Sequence, residues 1–305
     1  MGRFWRDSLL PVVLLAVLLA AIPAQALEIA VALSQPSGPH RQFREALAAV
    51  PMPHRLSDAG DSQSGLDEAL LQRADLIIAV GAQVTQEVLA RFKRPTMAVL
   101  ISRAQAQALG ATHPDARFSA IVLDQPPIRH VRLAGVVAPG ISQVGMLLGS
   151  EAIELERGFA SAANDTGLKL LTRRVGSPGD LLPQLEQLLK ASDALLIIPD
   201  PTIASQSAAR TILLTSYRYR RPILAYSHAY VEAGALAAVF SSPEDAAGDL
   251  ADWLRTLSGA VVRLPAVKSP GRFSIGVNRQ VARSLGLDVP SDEALAEHVG
   301  RQVTP

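Results

Sequence analysis

Short, almost wholly apolar runs closed by glycine or proline, with amphipathic stretches between them, set the tightest limit on what this chain can fold into. The clearest are ADLIIAV at 74–80 and ALLIIP at 194–199, with LEIAVAL at 27–33 and QVGMLLG at 143–149. A run without polar alternation suits a strand covered on both faces, and strands separated by helices pair in parallel. Further strands are expected at 96–101, 120–123, 168–175, 222–225, 235–241 and 273–277. Helices are expected at about 39–50, 67–73, 84–91, 103–109, 127–137, 152–164, 181–191, 204–219, 246–257 and 279–285, with a tail helix from about 292. The fold class is therefore α/β, and right-handed crossovers make it doubly wound.

Two echoes bear on domain organisation. ADLIIAVG (74–81) and SDALLIIPD (192–200) share a small residue, an aspartate, an apolar strand and then glycine or proline. Arg94-Pro95 and Arg221-Pro222 each precede a short apolar strand. Two Rossmann-like lobes of like construction would produce these echoes, and so would the general grammar of α/β chains. Ala138-Pro139-Gly140 ends a helix before the next strand and marks the expected break. Residues 27–139 with about 242–262 then form one lobe, and 140–241 with about 263–305 the other.

The first residues read as an address. Arg3 and Arg6 precede an apolar run at 9–22, and Pro23-Ala24-Gln25-Ala26 presents small residues for a cut after Ala26. That is the layout of a secretory signal peptide at 1–26, and the run falls short of the ~20 apolar residues that span a bilayer. The mature chain is expected in a bacterial periplasm. With no cysteine in the sequence, a disulfide framework, a thiolate metal site, a cysteine nucleophile and a lipoprotein anchor are all excluded. Net charge is +1 with the two signs interspersed, so no basic stripe points to a nucleic acid partner.

In open α/β sheets ligands sit beyond the carboxyl ends of the strands. Those positions carry a mostly neutral polar set: Ser34 and Gln35, Gly81 and Gln83, Ser102, Asp124 and Gln125 in the first half. Ser150 and Glu151, Asp200 and Thr202, Ser227 and His228, and Ser241 follow in the second. Such groups orient a small ligand by hydrogen bonds, helix-start N–H groups can hold an anion, and each Ser, Thr or Asp alone also suits a helix cap. Asp200, fixed between Pro199 and Pro201, can hold a substrate amine or cap the helix beginning near Thr202. His228 can reach a ligand or simply face solvent. No Gly-x-Ser-x-Gly elbow, Walker loop, Gly-x-Gly-x-x-Gly or His-Glu-x-x-His is present, and the six histidines lack metal-ligand spacing. Nothing therefore advocates a catalytic residue, a metal or a cofactor, and the chain reads as a binder rather than an enzyme.

Four stretches carry a family resemblance: Ala74–Gly81 with Gln83, then Val144–Gly149 with Gly167-Leu168. Ser192–Asp200 follows, with Arg221-Pro222 and Tyr230-Val231-Glu232-Ala233-Gly234-Ala235-Leu236, and lastly Gly276-Val277-Asn278 with Ala282, Leu285-Gly286-Leu287 and Pro290. In this order they resemble the substrate-binding proteins of bacterial ABC importers that have the type I periplasmic binding fold. One departure stands out, since the place where such proteins usually carry Thr-Gly here reads Asp124-Gln125-Pro126-Pro127. The resemblance implies two hinged lobes closing on a small polar solute, in the family's style an amino acid. Ser34, Gln35, Gly81, Gln83 and Asp124 would grip it from one side, and Ser150, Asp200 and His228 from the other. The implied partner is an ABC permease in the inner membrane; a membrane sensor or an outer-membrane uptake system is the alternative.

Overall fold

The computed structural model describes residues 26–149, 153–200, 203, 205–258 and 261–301, so the expected leader lies outside it up to residue 25. The first lobe runs β1 (Glu28–Leu33), α1 (Gly38–Ala48), β2 (Arg55–Asp61), β3 (Gly65–Leu66), α2 (Glu68–Arg73) and β4 (Leu76–Val80). It continues through α3 (Ala82–Arg91), β5 (Thr96–Val99), α4 (Arg103–Thr112) and β6 (Phe118–Ile121). Next come α5 (Pro127–Val137), β7 (Gln143–Gly149), α6 (Ile153–Asp165), β8 (Lys169–Val175), α7 (Leu181–Ala191), β9 (Ala194–Leu196) and α8 (Gln206–Arg218). The chain then forms β10 (Ile223–Ala225), α9 (His228–Glu232), β11 (Ala237–Phe240), α10 (Pro243–Arg255), β12 (Ser274–Val277), α11 (Arg279–Leu285) and α12 (Asp292–Gly300).

Two six-stranded sheets result, ordered β3-β2-β1-β4-β5-β6 and β12-β11-β10-β9-β7-β8. Leaving out the antiparallel edge strands β3 and β12, both sheets are parallel, and in each the first strand lies between the second and the third. In such a sheet a crevice opens at the carboxyl ends of the strands, where the winding reverses. The apolar runs behave as their composition requires, and every residue of β4 is buried. The strand β2 has no counterpart among the runs read from the sequence. Its residues, RLSDAGD, are largely solvated, with Ala59 and Asp61 buried, because it lies near the sheet's edge with only the short β3 outside it. Polar residues on such a strand discourage pairing with other chains.

Packing draws the lobes differently from the Ala138-Pro139-Gly140 break. Val131, Leu133, Ala134 and Val137 of α5 are buried with Met146, Phe159 and Leu236, inside the second lobe's core. The helix therefore belongs to that core, and the first crossing falls at about 122–127; Pro139 and Gly140 merely turn the chain from α5 into β7. Helix α10 returns to the first lobe, burying Ala247, Leu250 and Leu254 with Phe43 and Leu47 of α1. From there Lys268 bridges to Ile121 at the edge of β6 before the chain crosses to β12.

The crossings are laced together by side chains. Gln125 donates to the Ser241 hydroxyl at 2.7 Å and accepts from Arg129 at 2.7 Å. Arg129 also donates to the carbonyls of Pro270 (3.0 Å) and Gly271 (2.7 Å), and its guanidinium lies 4.4 Å from the centre of the Phe273 ring. Polar bonds and a cation–π contact thus join all three segments, where a broad apolar seam would weld the lobes shut.

Candidate functional site

A cavity of about 710 Å3 opens between the lobes at the carboxyl ends of both sheets. That volume is within the range of small-molecule sites. The first lobe contributes the start of α1 (His40, Gln42), the loop after β5 (Leu100, Ser102) and the loop after β6 (Leu123, Asp124, Gln125). The second contributes His130 of α5, Phe159 of α6, Ile198 after β9 and Tyr226, Ser227 and His228 after β10. Phe240 and Ser241 close the wall at the second crossing.

The surface it exposes is mainly apolar and aromatic, while polar side chains such as Gln42, Ser102, Asp124, Ser227, His228 and Ser241 are set among it. Leu100 is held at φ 54°, a left-handed conformation uncommon for a side chain of its kind. Asp124 is the single carboxylate at the wall among the described lining residues, and neither lysine nor arginine is among them. The Asp124 carboxylate accepts from the Arg103 amide at 2.7 Å, at the first residue of α4. Burial pushes its pKa up, opposed by that amide and by the Arg103 charge. His130 is fully enclosed beside the Phe159 ring, at 5.6 Å between centres. Burial first, then the neighbouring Arg129 charge, depresses its pKa to about 4, so its ring is neutral at pH 7. Burial also lowers the pKa of His40.

Of the gripping set chosen from the sequence, Asp124 and His228 line this cavity, as do Ser102, Gln125, Ser227 and Ser241 of the wider strand-end inventory. The His228 side chain is largely exposed, its ring 5.7 Å from that of Phe240 and its Nδ1 3.5 Å from Glu232. Ser34 and Gly81 lie behind the wall. The Ser34 hydroxyl accepts from the Val84 amide at 3.0 Å and so caps α3, while Gly81 (φ 97°) sits directly under Ser34 and His40. Gln35 is exposed after β1, and Gln83 reaches Glu87 along α3 at 3.4 Å. Ser150 lies outside the described residues.

Asp200 is buried and accepts from the Gly149 amide at 2.7 Å, pinning the end of β7 to the loop after β9. Removing this acceptor leaves the buried Gly149 amide without it, so Asp200→Ala should lower the unfolding free energy by about 2 kcal/mol. Urea denaturation checks this, and an unchanged midpoint would show that the carboxylate has no supporting role.

His40, His130, Leu155, Phe159, Tyr226 and Phe240 were outside the strand-end inventory. Most come from helices or strand interiors, and no local signal marks them; the crossing of α5 into the second lobe is what brings His130 to the wall.

A family profile described as "ABC transporter substrate binding protein" matches residues 67–298. No curated protein sequence matches the chain. Among solved structures, an ABC domain in complex with L-Trp from Streptococcus pneumonia is 20% identical with a TM-score of 0.56, covering 89% of this chain and 99% of that one. The ligand-free, open structure of CD0873, a substrate binding protein with adhesive properties from Clostridium difficile, is 17% identical at TM-score 0.63, covering 87% and 96%. A mutant XylFII-LytSN complex is 12% identical at TM-score 0.52, covering 83% and 98%. At these identities the likeness is one of fold, that of type I periplasmic binding proteins.

Proposed function

Because the chain belongs to the ABC transporter substrate-binding protein family, we propose that it is the periplasmic receptor of an ABC importer, taking a small solute between its lobes and delivering it to an inner-membrane permease. The observation that carries this is the shared cavity: its wall draws on both sheets, while the connection between lobes is three laced segments. A solute touching both walls favours the closed arrangement by its extra contacts there, and that differential is what a permease can read. Asp124 and His228 touch the solute, one from each lobe. Ser34, Gly81 and Asp200 hold the loops that carry the wall, and Gln35, Gln83 and Ser150 complete the set as the lobes close. Residues 1–26 direct export, and the described residues contain no helix long and apolar enough to cross a membrane.

Thermal unfolding against pools of metabolites tests this directly. A solute at 100 times its dissociation constant should add ~2.7 kcal/mol of stability. Failure of every pool to raise the melting temperature would remove the receptor function.

A second function, reporting solute to a membrane sensor, finds support in the similar fold seen within the XylFII-LytSN complex. Deleting the gene separates the two: loss of uptake of the identified solute supports import, and intact uptake supports sensing.

A further inference from the structure

We propose that Gln125 and Ser241 hold an oxygen of the solute, a carboxylate or carbonyl acceptor, where the two lobes join. This rests on the receptor function above and assigns the groups that read the solute's polar end. Both side chains line the cavity, Gln125 on the segment that leaves the first lobe and Ser241 on the one that returns to it.

The count of donors and acceptors points to this pair. Arginine only donates, so the Gln125 atom that meets Arg129 at 2.7 Å is the amide oxygen. The amide nitrogen is thereby turned to Ser241, at 2.7 Å. That nitrogen carries two protons, and the Ser241 hydroxyl takes one while keeping its own proton to give. Among the described residues, no acceptor of the chain takes the second Gln125 proton or the Ser241 proton. Gln125 is only 7% exposed, and donors buried so deeply are normally answered. His130 is the other polar side chain buried beyond nine-tenths among the described lining residues, and it too makes no hydrogen bond among them. The start of α5 thus gathers bonding capacity that the chain does not use, at the wall of a cavity.

Charge favours an acceptor there. The three hydrogen bonds of Arg129 end on neutral oxygens, those of Gln125, Pro270 and Gly271. Its positive charge therefore polarises the Gln125 amide and strengthens the N–H groups at the far end. The Asp124 carboxylate next in sequence is turned to the Arg103 amide at 2.7 Å and takes neither proton. His228, a donor elsewhere on the wall, is largely exposed, so water competes for it.

Matched headgroups and an isosteric exchange test the proposal. Titration calorimetry on the mature chain would use phenyl, indole and cyclohexyl bodies, each carrying a carboxylate, a primary amide or an ammonium group; 3-phenylpropionate, 3-phenylpropionamide and 3-phenylpropylamine form the first set. At least one carboxylate or amide should bind, and its ammonium counterpart at least tenfold more weakly; the tighter of the two oxygen compounds tells carboxylate from carbonyl. Gln125→Glu keeps the shape and the bond to Arg129 but replaces both amide protons with an acceptor. It should weaken the oxygen compound at least tenfold, whereas a residue that only laced the segments together would leave binding intact. Ser241→Ala should also weaken it at least tenfold, and it decides alone if the ligand-free melting temperature shows Gln125→Glu to be unfolded. Unchanged affinity in a folded variant, or an ammonium compound binding as tightly as its oxygen counterparts, overturns the proposal. If these probes fail but a metabolite pool raises the melting temperature, the same shift decides in the variants. A shift kept there removes the pair and leaves the receptor function standing; a shift lost supports the pair. If nothing binds at all, both fall.

Discussion

Gly81→Ala should cost this protein about 4 kcal/mol of stability and misplace one side of its cavity. The cost has two physical sources. Gly81 sits at φ 97° and ψ 160°, a region essentially reserved to glycine, where an L side chain is strained by about 1–3 kcal/mol. A methyl group there would also lie 2.5 Å from the Ser34 hydroxyl oxygen and 2.6 Å from Nε2 of His40, so both must move. Overpacking of this kind costs about 1–3 kcal/mol. Neither neighbour can yield cheaply. Ser34 is buried and caps α3 through the Val84 amide, and His40 stands in the cavity wall. Gly81 is itself fixed on both sides, since its amide donates to Val99 at 2.9 Å and its carbonyl accepts from the Thr85 hydroxyl at 2.7 Å. Gly140→Ala is the matched comparison: its φ is 90°, but open space surrounds the added methyl. Urea denaturation of the two variants separates strain from contact, with Gly140→Ala expected to lose only about 1–2 kcal/mol. Equal losses would show that Ser34 and His40 step aside freely. Solute affinity should fall in Gly81→Ala and hold in Gly140→Ala, because only the first disturbs the wall.

How much of this was written legibly into the chain depends on which surface each residue meets. Strands β4 and β7 are covered on both faces, so their sequences are nearly pure apolar runs and announce themselves. Strand β2 lies near a sheet edge; its RLSDAGD looks like loop, and only pairing with β1 makes it a strand. The short helix α9 is equally silent, five residues starting at His228 without a side-chain cap. Lobe membership was less legible still. Pro139 and Gly140 are strong local punctuation, yet the division between cores is set by which sheet α5 covers, and an amphipathic helix does not say which partner it will meet. The same distinction runs through the cavity. Reasoning from strand ends reaches Asp124 and His228, with Ser102, Gln125, Ser227 and Ser241, because topology alone places those loops at the crevice. It also reaches Asp200, without revealing that the carboxylate faces the Gly149 amide. It cannot reach His130 or Phe159, which stand on helices and arrive at the wall through tertiary packing.

Acid should weaken the fold through His130 before the carboxylates with depressed pKa values protonate. An unfolded histidine has a pKa near 6.5, and in the folded protein burial, then the Arg129 charge, holds His130 at about 4. Its folded pKa is thus the lower one, so the unfolded chain binds the proton first as pH falls. Stability from this group is whole above pH 6.5, drains away between 6.5 and 4, and is fully lost below 4. The shift corresponds to roughly 3 kcal/mol. His40, lowered by burial, pulls the same way, while Asp124, raised by burial, opposes it. Asp61, Asp193 and Asp252 have depressed carboxyl pKa values and add their losses only at lower pH still. His130→Phe keeps a ring against Phe159 and removes the titration. Unfolding free energy measured from pH 7 to 4 should therefore fall less steeply in this variant, by roughly 3 kcal/mol across the window. Parallel curves for the two proteins would mean that the buried imidazole takes up its proton without penalty. The location gives the effect a functional edge. His130 follows directly on Arg129, which holds Gln125 and the carbonyls of Pro270 and Gly271 together. A proton on His130 sets a second positive charge beside that clasp, so acid acts first on the segments that join the lobes.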